Sequence, residues 1–118
     1  MTKPRTQVLA VVAASTDSHT ALESLDAIFA SAVFDIAVSV LFMGETIATH
    51  LLATTGANTS GKNIAKQWQA SELYDIKALW VLSSDLNEHN INAQQLPSHV
   101  TILTKTPDTS VFKHVLSL

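Results

Sequence analysis

The chain has 118 residues, 47% of them apolar, which is enough for one domain with a hydrophobic core that needs neither disulfides nor a structural metal. Seven basic and ten acidic residues give a net charge of −3, and the scattered basic residues disfavour direct nucleic-acid binding. The absence of cysteine excludes disulfides, thiolate metal sites and cysteine nucleophiles. Charged residues are only 14% of the chain, against about 25% in a usual domain, so we expect a partner to cover part of its surface.

The first predicted element is a short apolar run, Val8–Ala14. Lys3 and Arg5 before it give the outline of a secretory signal, but a first buried strand explains the same residues. No apolar run in the sequence reaches the ~20 residues that a membrane helix needs. We therefore expect a soluble, cytoplasmic protein without membrane contact.

Helical and strand patterns then alternate along the chain. Ser18–Val33 has apolar residues at three- and four-residue spacing, which predicts an amphipathic helix. Ile36–Phe42 is apolar and rich in β-branched residues, and we predict a second buried strand there. Glu45–Ala53 and Lys62–Leu73 again have helical spacing.

The second half continues the alternation. Lys77–Ser83 contains a third buried strand, Ser84–Asn90 a short helix and Val100–Leu103 a fourth strand, and Val111–Leu118 is a last apolar stretch. Apolar strands alternating with amphipathic helices are typical of parallel sheets with helices on both faces. The prediction is therefore a single α/β domain over residues 1–118, a three-layer α/β/α sandwich with a mainly parallel sheet of about five strands. Its strand order stays open.

A glycine-rich loop, Gly56–Asn63, comes close to a phosphate-binding P-loop. Asn63 stands where such a loop needs the Ser or Thr hydroxyl that holds magnesium, and the residues before the loop are helical in pattern rather than a buried strand. We interpret the loop as a connector. The alternative is a stand-alone small-molecule or nucleotide-binding α/β domain that uses it.

No other segment has a pattern that requires a cofactor. The five histidines contain no pair at helical ligand spacing, and no Gly-x-Ser-x-Gly nucleophile motif is present, so we predict no metal, cofactor or catalytic residue. Asp85, Glu88 and His89 cluster after the third strand, at the edge of a parallel sheet where ligands gather. A solvated helix end explains the same three residues.

A turn, an apolar strand and a short helix follow one another near the middle of the chain. The residues that carry this pattern are Leu73-Tyr74-Asp75-Ile76, Trp80-Val81, Leu86, Glu88 and Ile91. The pattern resembles the TusC/DsrF branch of the DsrE family of sulfur-relay proteins. The chain departs from that branch at His89-Asn90, where the family tends to have Arg-Gly.

A second match lies in the predicted first helix. Glu23, Leu25, Asp26 and Ala27 agree with a Gly-x-Glu-Gly-Leu-Asp-Ala-Leu pattern common in the family, and Ser24 replaces a glycine. The resemblance covers most of the first ninety residues. Beyond them it implies a helix abbreviated to Pro107–Phe112 and a final strand over residues 114–118.

The resemblance implies a subunit of a TusBCD- or DsrEFH-like heterohexamer, acting in tRNA 2-thiouridine synthesis or in sulfur oxidation. The implied partners are DsrE/TusD-like and DsrH/TusB-like subunits, with self-association as the other possibility. The DsrE/TusD branch has its persulfide-carrying cysteine where this chain has Val81. A chain without a thiol cannot hold sulfur covalently, so the resemblance implies a non-catalytic subunit.

The resemblance also implies where subunits meet, beside the third strand and the helix after it. Specific interfaces have aromatic anchors near their centre and polar contacts around them. The interface candidates are therefore one aromatic and four polar residues: Trp68, Asp85, Asn87, Glu88 and His89.

Overall fold

In the computed structural model, residues 6–13, 23, 25–30, 36–52, 68 and 76–118 are described. They contain one sheet of five parallel strands, which confirms the predicted α/β class and the mainly parallel sheet. The strands are β1 (Thr6–Val12), β2 (Ile36–Phe42), β3 (Ala78–Leu82), β4 (Val100–Leu103) and β5 (His114–Ser117). The helices are α1 (residues 25–30 as described), α2 (Thr46–Leu51) and α3 (Ser83–Glu88), with 3₁₀ turns at Ala93–Gln95 and Thr109–Val111.

The strand order is β4-β3-β2-β1-β5. The chain adds β2, β3 and β4 successively on one side of β1 and then returns across the sheet to place β5 on the other side. Right-handed crossovers put the connections of the first three steps on one face of such a sheet and the returning connection on the opposite face. The two hydrophobic clusters formed by the described residues follow this division.

The larger cluster lies on the face that carries α1, α2 and α3. The strands β1, β2 and β3 contribute Val12, Phe42 and Val81 to it, and each of these side chains is completely buried. The helices contribute one apolar stripe each, because residues three or four apart lie on one side of a helix. These contributions are Leu25 and Ile28 from α1, Ile47 and Leu51 from α2, and Leu86 from α3.

The smaller cluster lies on the opposite face and is built around Leu9, Leu41 and Leu82. The returning connection between β4 and β5 contributes Phe112, whose ring meets Trp80 edge to face at a centroid distance of 6.2 Å. The abbreviated helix expected over Pro107–Phe112 is one 3₁₀ turn in the structure.

A small apolar cavity of about 40 Å³ lies between α1 and the sheet, near β5. Its walls are the side chains of Ala10, Ala27, Ile28, Val38, Leu116 and Leu118. Leu116 is 42% exposed at its rim, so α1 leaves this corner of the sheet incompletely covered.

Within the described part of the chain, none of the helices has the length and apolar character needed to cross a bilayer. The predicted helix over Lys62–Leu73 lies outside the described residues except for Trp68, which is helical. The loop Gly56–Asn63 lies entirely outside them.

Candidate functional site at the carboxyl edge of the sheet

The carboxyl ends of β1, β2 and β3 lie side by side because the three strands are parallel and adjacent. Val12 pairs in register with Phe42, and Phe42 pairs with Val81. In open parallel sheets, ligands and reactive groups gather outside this edge. The residues that follow these strand ends therefore form the candidate site.

Thr46 joins the ends of β1 and β2. Its buried hydroxyl donates to a main-chain carbonyl, with Val12 O at 2.8 Å and Met43 O at 2.6 Å, and accepts from the main-chain N–H of Met43 at 3.1 Å. The same Met43 N–H also lies 2.9 Å from Val12 O. These bonds fix the turn that carries Gly44, whose φ of +59° is a left-handed conformation that glycine adopts without strain.

The helix α3 begins directly after β3, with no loop between them. It ends in a Schellman arrangement, in which Ile91 N–H donates to Leu86 O at 2.8 Å and Asn90 N–H lies 3.4 Å from Asn87 O. Asn90 has a φ of +55°, the left-handed conformation that such a helix end requires. Leu86 and Ile91 both pack on the larger cluster, so the ends of α3 are held by the strand on one side and by the core on the other.

The three predicted residues in and directly after α3 converge. Asp85, Glu88 and His89 each offer one oxygen or nitrogen atom, and these atoms lie within 4.8 Å of one another. Asp85 and His89 are half-buried and Glu88 is exposed. Asp85 Oδ2 is buried and has no hydrogen-bond partner among the described residues. We call these three residues the α3 cluster.

The α3 cluster faces the turn after β2. A Cβ atom added to Gly44 would lie 3.8 Å from His89 Nε2, an ordinary van der Waals distance, so this turn lies directly beside the imidazole. The main-chain N–H of His89 donates to Asp85 O at 3.0 Å, which ties the backbones of two cluster residues together. The cluster is thus positioned by a short helix with both ends anchored.

The other predicted site residues lie elsewhere. Asn87 is exposed on α3, outside the cluster. Trp68 is completely buried and packs edge to face against Phe42, with ring centroids 5.1 Å apart. Its indole belongs to the core and presents no surface to a partner, which corrects its assignment as an aromatic anchor of an interface. The sequence pattern was compatible with a position in the core and with one at an interface, because a tryptophan on an amphipathic helix can occupy either place.

Sequence reasoning also missed Thr46, Gly44 and His50. Thr46 and Gly44 lie in a turn whose residue types are ordinary, and their role depends on a contact with β1 more than thirty residues earlier in the chain. His50 is completely buried and accepts a hydrogen bond from Trp68. The sequence signal for His50 was its position on the same side of α2 as the apolar residues Ile47 and Leu51.

Val81 is relevant to the persulfide chemistry that the family resemblance implies. It occupies the position that the family resemblance gives to a persulfide-carrying cysteine, and here it is completely buried in the larger cluster. This position therefore supplies only an apolar core side chain.

The chain is similar to proteins of known sequence and of known structure. The "Protein TusC homolog" of Vibrio vulnificus (strain CMCP6) is 27% identical over 94 residues, a match that covers 80% of this chain and 76% of that protein. The resemblance to the TusC/DsrF branch of the DsrE/DsrF-like family is confirmed. The TusC-like chain also shares its fold with the ychN protein from E. coli. The crystal structure of that protein superposes with a TM-score of 0.74 at 15% identity and covers 97% of this chain and 99% of its own.

No protein-family model matches the TusC-like chain. The similarity to the Vibrio protein is one of sequence, and the structural similarity supports the fold independently, since it covers both chains almost completely.

Proposed function

We propose that the protein is a non-catalytic, TusC/DsrF-like subunit of a cytoplasmic sulfur-relay complex. The observation that carries the proposal is the similarity to a TusC homolog over 80% of the chain, together with the complete absence of cysteine. The complex acts in tRNA 2-thiouridine synthesis or in sulfur oxidation. Its other members are a DsrE/TusD-like and a DsrH/TusB-like subunit.

Persulfide relay needs a thiolate on each protein that holds sulfur. The thiolate attacks a persulfide, takes its terminal sulfur and releases the donor thiol. This chain has no thiol at any position, and Val81 fills the place of the relay cysteine with an apolar side chain inside the core. The sulfur atom is therefore carried by a partner, and this subunit contributes surface and stability to the assembly.

The proposed contact surface is the solvent side of α3. Asp85, Asn87, Glu88 and His89 lie there at the carboxyl edge of the sheet, and all four are exposed or half-buried. Leu86 on the opposite side of the helix anchors it to the core. A rigid helix that presents polar side chains suits the polar part of a specific interface, where paired charges set partner and register.

Co-expression with DsrE/TusD-like and DsrH/TusB-like proteins from the same genome tests the proposal. We expect native mass spectrometry to show one stable assembly that contains all three chains. A ³⁵S-labelled persulfide donor should label a cysteine of a partner and leave this chain unlabelled. A chain that stays monomeric beside both partners at micromolar concentrations would contradict the proposal.

Charge reversal tests the contact surface. Glu88→Lys changes an exposed side chain of α3, and we expect it to lower the fraction of assembled complex. Lys113→Glu is the matched control, because Lys113 is also exposed but lies just before β5, at the opposite edge of the sheet. Equal loss of assembly in both variants would place the interface elsewhere.

A deletion strain distinguishes the two pathways. Loss of 2-thiouridine from tRNA, measured by mass spectrometry of digested nucleosides, assigns the protein to tRNA modification. Normal thiolation with impaired growth on reduced sulfur compounds assigns it to sulfur oxidation.

A further inference from the structure

The geometry of the α3 cluster points to a binding site for a divalent transition-metal ion of the Zn²⁺, Co²⁺ and Ni²⁺ class, with Asp85, Glu88 and His89 as ligands. The proposal concerns the isolated chain and does not rest on the proposed function. It departs from the expectation drawn from histidine spacing, because the site uses one histidine with two carboxylates instead of a histidine pair.

The donor set fits this class of ion. An imidazole nitrogen favours zinc, nickel and cobalt over calcium and magnesium, and carboxylate oxygens complete mixed sites of this kind. Ligand bonds of about 2.0–2.1 Å in a tetrahedral site place neighbouring ligand atoms about 3.4 Å apart. The three donor atoms already lie within 4.8 Å of one another. Small rotations of the side chains would close the site.

A second observation points to a cation independently of the spacing. Asp85 Oδ2 is shielded from solvent and lacks a hydrogen-bond partner among the described residues. A buried carboxylate oxygen without a partner is unfavourable, because it has lost its hydration without compensation. A bound cation would supply the missing interaction, with His89 and Glu88 on the same side of the helix to share it.

The backbone around the cluster is fixed in advance. The bond from His89 N–H to Asp85 O, 3.0 Å long, holds two ligands one helical turn apart, and the left-handed Asn90 ends the helix immediately after them. Gly44 lies beside His89 Nε2, where an added Cβ atom would be 3.8 Å from that nitrogen. Three protein ligands leave a fourth position for water or for a donor atom from another molecule, as in open zinc sites.

Cobalt titration of the untagged full-length chain tests the site. We expect the visible d–d absorption of Co²⁺ in a low-symmetry site to saturate at one ion per chain, and an excess of Zn²⁺ to abolish it. Asp85→Asn and His89→Gln should each weaken binding at least tenfold. His114→Gln is the matched control, because His114 is an exposed histidine of β5, and it should bind like the parent.

A second measurement, on the parent protein, tests the site even where a variant fails to fold. In the parent protein, ¹H–¹⁵N spectra of the imidazoles should show the His89 signals shifted by Zn²⁺ while those of His114 stay in place. Absence of a saturable cobalt spectrum up to millimolar concentration would overturn the proposal. Unchanged affinity in His89→Gln would overturn it as well. Both measurements use the isolated chain, so their failure leaves assembly with sulfur-relay partners untouched.

Discussion

The indole N–H of Trp68 donates a hydrogen bond to Nδ1 of His50, 3.1 Å away, where both side chains are completely buried. The acceptor role of Nδ1 means that the proton of the neutral imidazole sits on Nε2. Phe42 packs against both rings, with centroids 5.3 Å from His50 and 5.1 Å from Trp68. The bond thus joins α2 to a residue far along the chain, over the end of β2.

The Trp68–His50 bond should appear as an energetic coupling. Trp68→Phe keeps an aromatic ring but leaves Nδ1 without its donor, which costs about 1–3 kcal/mol of unfolding free energy in addition to lost packing. We expect Trp68→Phe and His50→Leu to be less damaging together than the sum of the single changes, by about 1 kcal/mol, in urea unfolding. Trp68→Phe combined with Val111→Ala is the control and should be additive, because Val111 is 64% exposed. Additivity in the first pair would contradict the coupling.

Asn90 should tolerate glycine and resist alanine. Its φ of +55° costs an ordinary L-residue about 1–2 kcal/mol, whereas glycine adopts the conformation freely. We expect Asn90→Ala to lower the unfolding free energy by about 1 kcal/mol and Asn90→Gly to change it by less than about 0.5 kcal/mol. Asn87→Ala, an exposed change within α3, is the control and should be close to neutral. Equal losses in the Asn90 variants, measured by thermal unfolding, would be inconsistent with this account.

Ala27→Leu should stabilise the protein by filling the cavity under α1. Filling about 40 Å³ at about 24 cal/mol per Å³ gives an upper limit of about 1 kcal/mol, because the cavity is open to solvent beside the exposed Leu116. Leucine also retains good helix propensity. Ala27 and Ala30 are both exposed positions of α1, but only Ala27 lines the cavity, so Ala30→Leu is the matched control. Chemical denaturation should therefore show a gain in unfolding free energy for Ala27→Leu alone. A similar gain in both variants would indicate helix propensity or surface burial instead.

Asp108 should contribute stability that acid removes. Its carboxylate accepts hydrogen bonds from the Ser110 hydroxyl at 2.7 Å and the Ser110 main-chain N–H at 3.0 Å, which together hold the pKa of Asp108 below its usual value of 3.8. A lowered folded-state pKa means that the contribution is complete above the unfolded-state pKa and is lost as the pH falls through the folded one.

Melting temperatures across pH measure this contribution. The Tm difference between the parent and Asp108→Asn should be constant near neutral pH and shrink as the pH drops below about 4. Glu45→Gln neutralises another exposed carboxylate and serves as the control. A Tm difference for Asp108→Asn that persists unchanged to pH 2 would show that the charge has no part in the capping.

The strands were predictable because their residues form continuous apolar runs. Ile36–Phe42 and Val100–Leu103 have the predicted bounds. Ile36–Phe42 is almost entirely buried, as expected for an apolar run covered on both faces, whereas Val100–Leu103 is an edge strand in which Thr101 and Ile102 are exposed. Strand order was not predictable, because it depends on which strands pair although they are far apart in the sequence. A local hydrophobic pattern contains no information on that pairing. The place of β5 beside β1 is one such pairing.

The candidate site was predictable in part for the same reason. Asp85, Glu88 and His89 are one helical turn apart, so their spacing alone brought them together. The position of Trp68 depended on a distant partner, His50, and on the ring of Phe42, which only the folded chain brings together. Local periodicity predicts which face of a helix or strand is apolar. It does not predict which residues pack against that face.

The position of β1 between β2 and β5 has a consequence for synthesis on the ribosome. In β1, Val8 pairs with Val38 of β2 on one side and with His114 of β5 on the other. The second edge of β1 therefore stays unpaired during synthesis until residue 114 and the rest of β5 have left the ribosome. Until then the nascent protein exposes an apolar strand edge open to pairing with other chains. We expect ribosome-bound intermediates truncated before β5 to need chaperone protection that the released protein does not.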